Sequence, residues 1–127
     1  MSIEAGEFRQ VLGYFATGVT IITTRHEDQV HGTTVSAFCS LSLDPPLILV
    51  CLDHTATIHG LVATSGAFGV NILPEHGEQL SRHFARRGPD KFAGIPHKLG
   101  QLGVPLLEEA LATLECRVSV QYAGGDH

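Results

Sequence analysis

The sequence predicts a mostly β fold, a small antiparallel barrel flanked by a few short helices. Three features of this 127-residue chain support that prediction. Segments of strand length, rich in β-branched residues, recur between polar or Gly/Pro turns. Residues 114–122 alternate between apolar and polar, which is typical of a half-buried antiparallel strand. Apolar residues at helical spacing are confined to short segments.

The composition indicates one globular domain over residues 1–127. The hydrophobic fraction is 43%, and the chain is long enough for one core. A net charge of −5 argues against general affinity for nucleic acid or anionic membranes. Residues near the N-terminus form no apolar signal core, and no apolar run has the length of a membrane span. We therefore expect a cytoplasmic protein, with reduced core cysteines at Cys39, Cys51 and Cys116.

The N-terminal part of the chain predicts a helix followed by a hairpin. Apolar residues at helical spacing predict the helix over residues 4–15, with Ser2 as its N-cap. Residues 19–25 are almost all β-branched and predict a strand. A polar turn at residues 27–29 then returns the chain as a second strand from Val30.

Residues 32–50 are the most unusual stretch. Their second half is an apolar segment, predicted as a buried strand over residues 47–52, which follows Pro45 and Pro46. Small side chains would let a flat ligand lie close to the main chain, where hydroxyls and amides could meet phosphate or carbonyl oxygens. The alternative is a polar edge strand with a diproline turn. The first half carries the hydroxyl residues Thr33, Thr34, Ser36, Ser40 and Ser42.

The second half of the chain predicts alternating helices and strands. A short helix, capped by Thr55 or Thr57, ends near Gly66, and residues 68–73 form the next strand. Pro74 opens another helix at its first turn. Residues 85–105 are predicted as a long loop, and residues 111–122 as the last strand.

The basic residues are unevenly distributed. Five of the eight Lys and Arg residues lie between positions 82 and 98, close to His83. In an acidic protein such a segment indicates a local anion site, although a solvated helix end is the alternative. The five residues are Arg82, Arg86, Arg87, Lys91 and Lys98.

The motifs argue against several kinds of site. The eight His are scattered, His54 and His59 lack the four-residue helical spacing of two ligands, and no HExxH motif occurs, so no metal site is predicted. Gly-x-Ser-x-Gly, GxGxxG and Walker motifs are absent from the sequence. An organic cofactor fits better, since the chemistry would then belong to the cofactor.

Several motifs occur in an order that resembles one known family. Phe-Ala-Thr-Gly-Val-Thr-Ile-Ile-Thr-Thr stands at 15–24, and residues 32–46 end in Ser-Leu-Asp-Pro-Pro. Ser-Gly-Ala-Phe-Gly-Val-Asn-Ile-Leu at 65–73 and Gly-Gly-Asp-His at 124–127 follow, with shorter matches at 90–92, 103–107 and 114–116. Together they resemble the flavin reductase-like, FMN-binding split-barrel family, in particular the small reductase components of two-component flavin monooxygenases.

The resemblance implies an enzyme with an antiparallel split β-barrel of Greek-key topology. It would be a homodimeric NAD(P)H:flavin oxidoreductase that takes hydride from NADH or NADPH, reduces FMN or FAD, and delivers reduced flavin to a monooxygenase. Two alternatives remain open: a non-catalytic FMN-binding or carrier protein of the same fold, and a partner-binding barrel without a ligand.

The resemblance also implies the positions of the site residues. Thr34, Val35, Ser36 and Ala37 would lie along the isoalloxazine, with Ser40 and Leu41 near the ribityl chain and phosphate. The turn of Asp53, His54, Thr55, Ala56 and Thr57 would close over the phosphate, and His83, Phe84 and Lys91 would flank the flavin. Gly125 and the catalytic residue His127 would lie near the nicotinamide. Considered alone, Ser36 and Ser40 could bond backbone neighbours, Phe84 could be core, and Asp126 could bend a turn.

The end of the chain carries a further expectation. Members of the family continue past Gly-Asp-His with at least one more strand. We therefore expect the natural polypeptide to continue after His127 with a β-rich tail that pairs with the last strand, because an unpaired apolar strand edge favours aggregation.

Overall fold

The structure, a computed structural model, describes residues 2–127 and contains three short α-helices and eight β-strands. Within these residues no helix is both long and apolar enough to cross a membrane. In chain order the elements are α1 (Ala5–Leu12), β1 (Thr20–His26), β2 (Gln29–Val35), β3 (Phe38–Leu43), β4 (Pro46–Val50), α2 (Thr57–Ser65), β5 (Ala67–Ile72), α3 (Glu78–Ala85), β6 (His97–Leu99), β7 (Pro105–Leu107) and β8 (Ala112–Arg117).

All paired strands are antiparallel. The main sheet has the order β2-β1-β5-β8, while β3 pairs with β4 and β6 with β7 in two smaller sheets. The predictions of a mostly β chain and of antiparallel sheets are confirmed. Across residues 2–127 the three sheets do not close into a barrel, because β2 and β8 stay at the edges of the main sheet.

Strand β1 is covered on both faces, which is why its run of β-branched residues is almost entirely buried. Ile22 packs with Ile58 and Val62 of α2. Ile21, on the opposite face, packs with Leu80 and Phe84 of α3. The hairpin that β1 forms with β2 agrees with the prediction and pairs Thr20 with Val35.

Helix α1 is shorter than the predicted helix, and its apolar face is exposed. It begins after Glu4, not Ser2, ends at Leu12, and contains no buried residue. Phe8, Val11 and Leu12 are each about half exposed, and Phe15 beyond the helix is 77% exposed. The periodicity therefore predicted the helix correctly, but its apolar face has no cover within residues 2–127.

Two predicted helix starts were wrong in detail. Helix α2 follows the extended residue Ala56 and has no side-chain cap hydrogen bond, so neither threonine caps it. Its end agrees with the prediction, because Gly66 adopts φ 75° and its N–H donates to the carbonyl of Val62. Helix α3 starts at Glu78, since Pro74 forms a turn closed by the N–H of Gly77.

The predicted strands were partly wrong in extent and burial. The hydroxyl-rich stretch divides into β2 and β3 around residues 36–37, and β4 is half exposed. The last strand ends at Arg117, and Tyr122 beyond it is 84% exposed. The loop 85–105 contains the short strand β6.

The cysteines were predicted as core residues, which is wrong for two of them. Cys39 and Cys51 are exposed, because both lie at the exposed β3-β4 hairpin, and only Cys116 is half-buried. Burial raises the pKa of the Cys116 thiol, with Glu115 as a smaller cause. All three are free thiols.

Candidate functional site

A cavity of about 530 Å³ lies between β2, the turn before α2 and the segment after α3. Its volume falls in the range that small-molecule sites occupy. Of the predicted site residues, it brings together Asp53, Thr55, Ala56, Thr57 and Lys91. The other lining residues are Val30, His31, Gly32, Thr33, Ile58, Ala85, Arg86, Arg87, Gly88, Pro89 and Asp90.

The strand side of the cavity depends on a close approach of β2 to α3. A Cβ added to Gly32 would lie 2.9 Å from ring atoms of Phe84, so any larger residue would push the strand away. Phe84 itself is fully buried and stacks edge-on against Phe92 at 5.1 Å. This packing holds His31 and Thr33 at the cavity wall.

The turn before α2 is held by its own side chains. The N–H and the hydroxyl of Thr55 both donate to Oδ1 of Asp53 at 2.7 Å, and the N–H of Ala56 donates to the Asp53 carbonyl. The hydroxyl bond and then the backbone bond lower the pKa of Asp53, so the carboxylate is ionised at neutral pH. This wall therefore carries a negative charge.

The opposite wall is basic. Lys91 Nζ donates to the carbonyls of Gly32 and Phe84 at 3.1 and 3.0 Å, and burial followed by nearby Arg86 lowers its pKa. Arg86 and Arg87 also line the cavity. Three residues of the predicted basic segment therefore line the cavity, whereas Arg82 pairs on the surface with Glu78 and Lys98 lies on β6.

His31 is a cavity-lining residue with an unused polar atom. Its Nε2 is buried, and none of residues 2–127 forms a hydrogen bond with it. Burial, followed by the charge of Lys91, lowers the pKa of the imidazole and favours the neutral form. A buried ring nitrogen without a hydrogen-bond partner lowers the stability of the folded state.

Of the hydroxyl residues in the stretch 32–50, Thr33 lines the cavity and the other four do not. Thr34 donates its hydroxyl to the carbonyl of Ser81 at 2.5 Å, and the side chain of Val35 packs in the core. Ser36 and Ala37 form the exposed link into β3. Further along, Ser40 and Leu41 are exposed on β3, where the register with β4 shifts between positions 40 and 42.

The C-terminal residues lie against the turn that precedes α2. The N–H of His54 donates to the carbonyl of Asp126 at 2.9 Å. Asp126 Oδ1 lies 2.7 Å from His127 Nδ1, and this hydrogen bond lowers the pKa of Asp126. Gly125 adopts φ 71°, which permits the tight turn. The predicted residues near the nicotinamide are therefore next to the predicted phosphate turn.

The two predicted flavin contacts on α3, His83 and Phe84, are both engaged by the protein itself. The Phe84 ring has no exposed surface, as expected of a core residue. Both ring nitrogens of His83 are occupied by protein groups, Nε2 by the Lys91 carbonyl and Nδ1 by Arg86. Neither side chain offers a free polar atom toward the cavity.

Sequence reasoning did not select His31, Arg86 or Arg87 as individual site residues. The two arginines belong to the basic segment, so that signal was available. His31 carried no local signal, because its burial arises from packing against distant residues. Within residues 2–127 no group of three or more His, Cys, Asp or Glu is arranged to hold a metal ion.

Comparison with known proteins agrees with the resemblance. The model of the flavin reductase like domain matches residues 12–127. A flavin-dependent monooxygenase reductase subunit, HsaB, of Mycobacterium tuberculosis is 42% identical over 98% of this chain and 67% of its own length. An NADH-dependent flavin reductase of a Rhodococcus species is 44% identical over 94% of this chain and 68% of its own length.

A solved structure shares the fold. The NADH:FAD oxidoreductase SgcE6 of Streptomyces globisporus, in complex with NAD and FAD fragments, is 38% identical with a TM-score of 0.93, covering 98% of this chain and 75% of that chain. The chain spans about two thirds of the length of the curated relatives it matches. With its match from residue 12 to residue 127, this chain belongs to the flavin reductase like domain family.

Proposed function

We propose that the chain is an NADH-dependent flavin reductase that supplies reduced flavin to a partner monooxygenase. The observation that carries the proposal is the cavity between β2, the Asp53 turn and the basic segment, beside an exposed strand of small hydroxyl residues. Relatives that are reductase subunits of flavin-dependent monooxygenases and NADH-dependent reductases support both parts of the activity.

The residues of the cavity fit a phosphate-bearing flavin. Arg86, Arg87 and Lys91 supply positive charge at the cavity wall. The flavin ring would lie along residues 34–37, with Ser40 and Leu41 nearer its side chain. Bound flavin would supply the hydride acceptor, and the protein contributes binding and orientation. FMN and FAD both fit this description.

The C-terminal residues suit a role in orienting the nicotinamide. Because the Asp126 carboxylate only accepts hydrogen bonds, His127 Nδ1 carries the proton that it donates. In the neutral form of this imidazole, the other ring nitrogen is an acceptor. We assign His127 this orienting role, with Gly125 providing the turn that brings it beside the Asp53 turn.

The exposed apolar residues support a homodimer. Helix α1 exposes Phe8, Val11 and Leu12, and the β3-β4 hairpin exposes Leu41, Leu43 and Leu49. A second subunit would remove these surfaces from water. We also propose that the chain contributes to a closed split barrel of Greek-key topology, which the likeness to SgcE6 supports. We propose a cytoplasmic location as well.

The deciding experiment follows NADH absorbance with purified protein and added FAD or FMN. Oxidation of NADH that depends on added flavin supports the reductase. Tight flavin binding without NADH oxidation would instead support the carrier protein, and no flavin affinity would support the barrel without a ligand. Parallel assays with NADPH measure the preference for the hydride donor.

A second experiment tests the hydroxyl strand. Ser40→Ala should weaken flavin binding by about 1–3 kcal/mol if its hydroxyl bonds a phosphate or ribityl oxygen. Arg82→Gln is the matched control, because Arg82 is exposed and, within residues 2–127, its side chain bonds Glu78 alone, across one helical turn. Equal flavin affinity of Ser40→Ala and the parent in a fluorescence titration would remove Ser40 from the site.

A further inference from the structure

His83 joins two parts of the basic wall. Its Nε2 lies 2.6 Å from the carbonyl oxygen of Lys91, eight residues further along the chain. Its Nδ1 lies 2.8 Å from Nη2 of Arg86, whose Nε also donates to the His83 carbonyl at 3.2 Å. The residue at the end of α3 therefore contacts both ends of the segment 86–91.

The chemistry of arginine determines how the proton is placed on this imidazole. A guanidinium can only donate, so Nδ1 of His83 must accept. Nε2 therefore carries the proton and donates to the Lys91 carbonyl. Both nitrogens of the neutral ring are used, and none remains for a ligand.

The segment 86–91 has a strained backbone conformation that these hydrogen bonds stabilise. Gly88 has φ 120° and Asp90 has φ 62°, both in the region that disfavours ordinary side chains. Lys91 anchors the far end by donating Nζ to the carbonyls of Gly32 and Phe84. The hydrogen bond from His83 closes the segment onto the end of α3.

We infer that His83 is a positioning residue, which sets the geometry of the basic cavity wall and does not contact flavin. The inference rests on the proposed function, because it assumes that this wall binds flavin. The resemblance instead placed His83 directly against the flavin. The two roles differ in what a substitution should change.

The first test uses the ligand-free protein and does not depend on the proposed function. We expect His83→Ala to accelerate amide hydrogen exchange in residues 86–91, because the segment loses its bond to α3. Unchanged exchange in this segment would overturn the inference. Absence of any flavin reduction by the parent protein would reject the proposed function and leave this exchange result valid.

The second test separates binding from turnover. We expect His83→Ala to raise KM for flavin about tenfold, the scale of one lost hydrogen bond, with kcat within about twofold. His83→Gln should restore most of the affinity, because its amide N–H can replace the donor to the Lys91 carbonyl. A fall in kcat with unchanged KM, or no rescue by His83→Gln, would contradict the positioning role.

A matched histidine controls for general destabilisation. His97 bonds the carbonyl of Ile95 through Nδ1 at 2.8 Å and packs against Phe92, but does not line the cavity. His97→Ala should lower thermal stability while KM for flavin stays unchanged. An equal rise of KM in His97→Ala and His83→Ala would show that lost stability, and not the wall, explains the effect.

Discussion

Replacement of Asn71 by Ala should be among the most destabilising single substitutions in the main sheet. The Asn71 side chain is fully buried on β5 and connects three strands. Its Nδ2 donates to the Ile21 carbonyl at 2.9 Å and to Thr23 Oγ1 at 3.2 Å on β1. Its Oδ1 accepts the N–H of Leu107 on β7 at 2.8 Å.

The expected loss follows from what the truncation leaves behind. The Leu107 N–H would lose its acceptor in a residue that is only 3% exposed, at a cost of about 1–3 kcal/mol. The lost amide bonds to β1 add about 1 kcal/mol, because Thr23 keeps its bond to the Pro105 carbonyl. We expect a total loss of about 2–4 kcal/mol, a large part of the stability of a small domain.

Urea unfolding followed by circular dichroism measures the loss, and hydrogen exchange at the Leu107 amide locates it. Thr113→Ala is the matched control, since Thr113 is the exposed partner of Asn71 on β8 and should change stability by about 0.5 kcal/mol at most. An Asn71→Ala protein as stable as the Thr113→Ala protein, with a Leu107 amide that remains protected, would show that the Asn71 side chain does not stabilise the sheet.

Three further predictions concern packing and titration. Gly32→Ala should destabilise the fold by about 1–3 kcal/mol, because the added Cβ would clash with the Phe84 ring. Gly60→Ala in α2, where an added Cβ meets no atom within 4 Å, should stabilise the fold by about 0.5–1 kcal/mol. Equal unfolding midpoints of the two variants would contradict both expectations. Burial lowers the pKa of His31, so the imidazole binds a proton more readily in the unfolded chain than in the folded protein, and the free energy of unfolding should fall as the pH drops below 6.5. His31→Gln should weaken this pH dependence in unfolding titrations. A pH profile unaltered by His31→Gln would show that His31 does not cause the dependence. Burial raises the pKa of Cys116, so its thiol should react with a disulfide reagent at pH 8 more slowly in the native than in the unfolded protein, and equal rates would show that it is accessible.

Elements with a local signal could be predicted from the amino-acid sequence alone. The β-branched run of β1, the polar turn after it and the return of β2 produced the correct hairpin, because side chains alternate along a strand within a few residues. The helical spacing around Ile58 and the glycine after Ser65 gave α2 and its end. The ordered motifs also carried the family assignment, since they cover nearly the whole chain.

Whether an element is buried or exposed depends on its tertiary contacts. The apolar spacing of α1 predicted the helix, and its apolar face is exposed in residues 2–127. Alternation predicted a strand to Tyr122, yet pairing with β5 ends at Arg117. A periodic pattern reports which side chains share a face, and it contains no information about what lies opposite that face.

Tertiary structure also decided the detailed site. His31 and Lys91 are far apart in the chain, and their proximity depends on how closely β2 approaches α3 over Gly32. Both nitrogens of His83 are occupied because the segment 86–91 folds back onto the end of α3. Burial and hydrogen-bond partners between distant residues are properties of packing, and packing depends on contacts that no local pattern specifies.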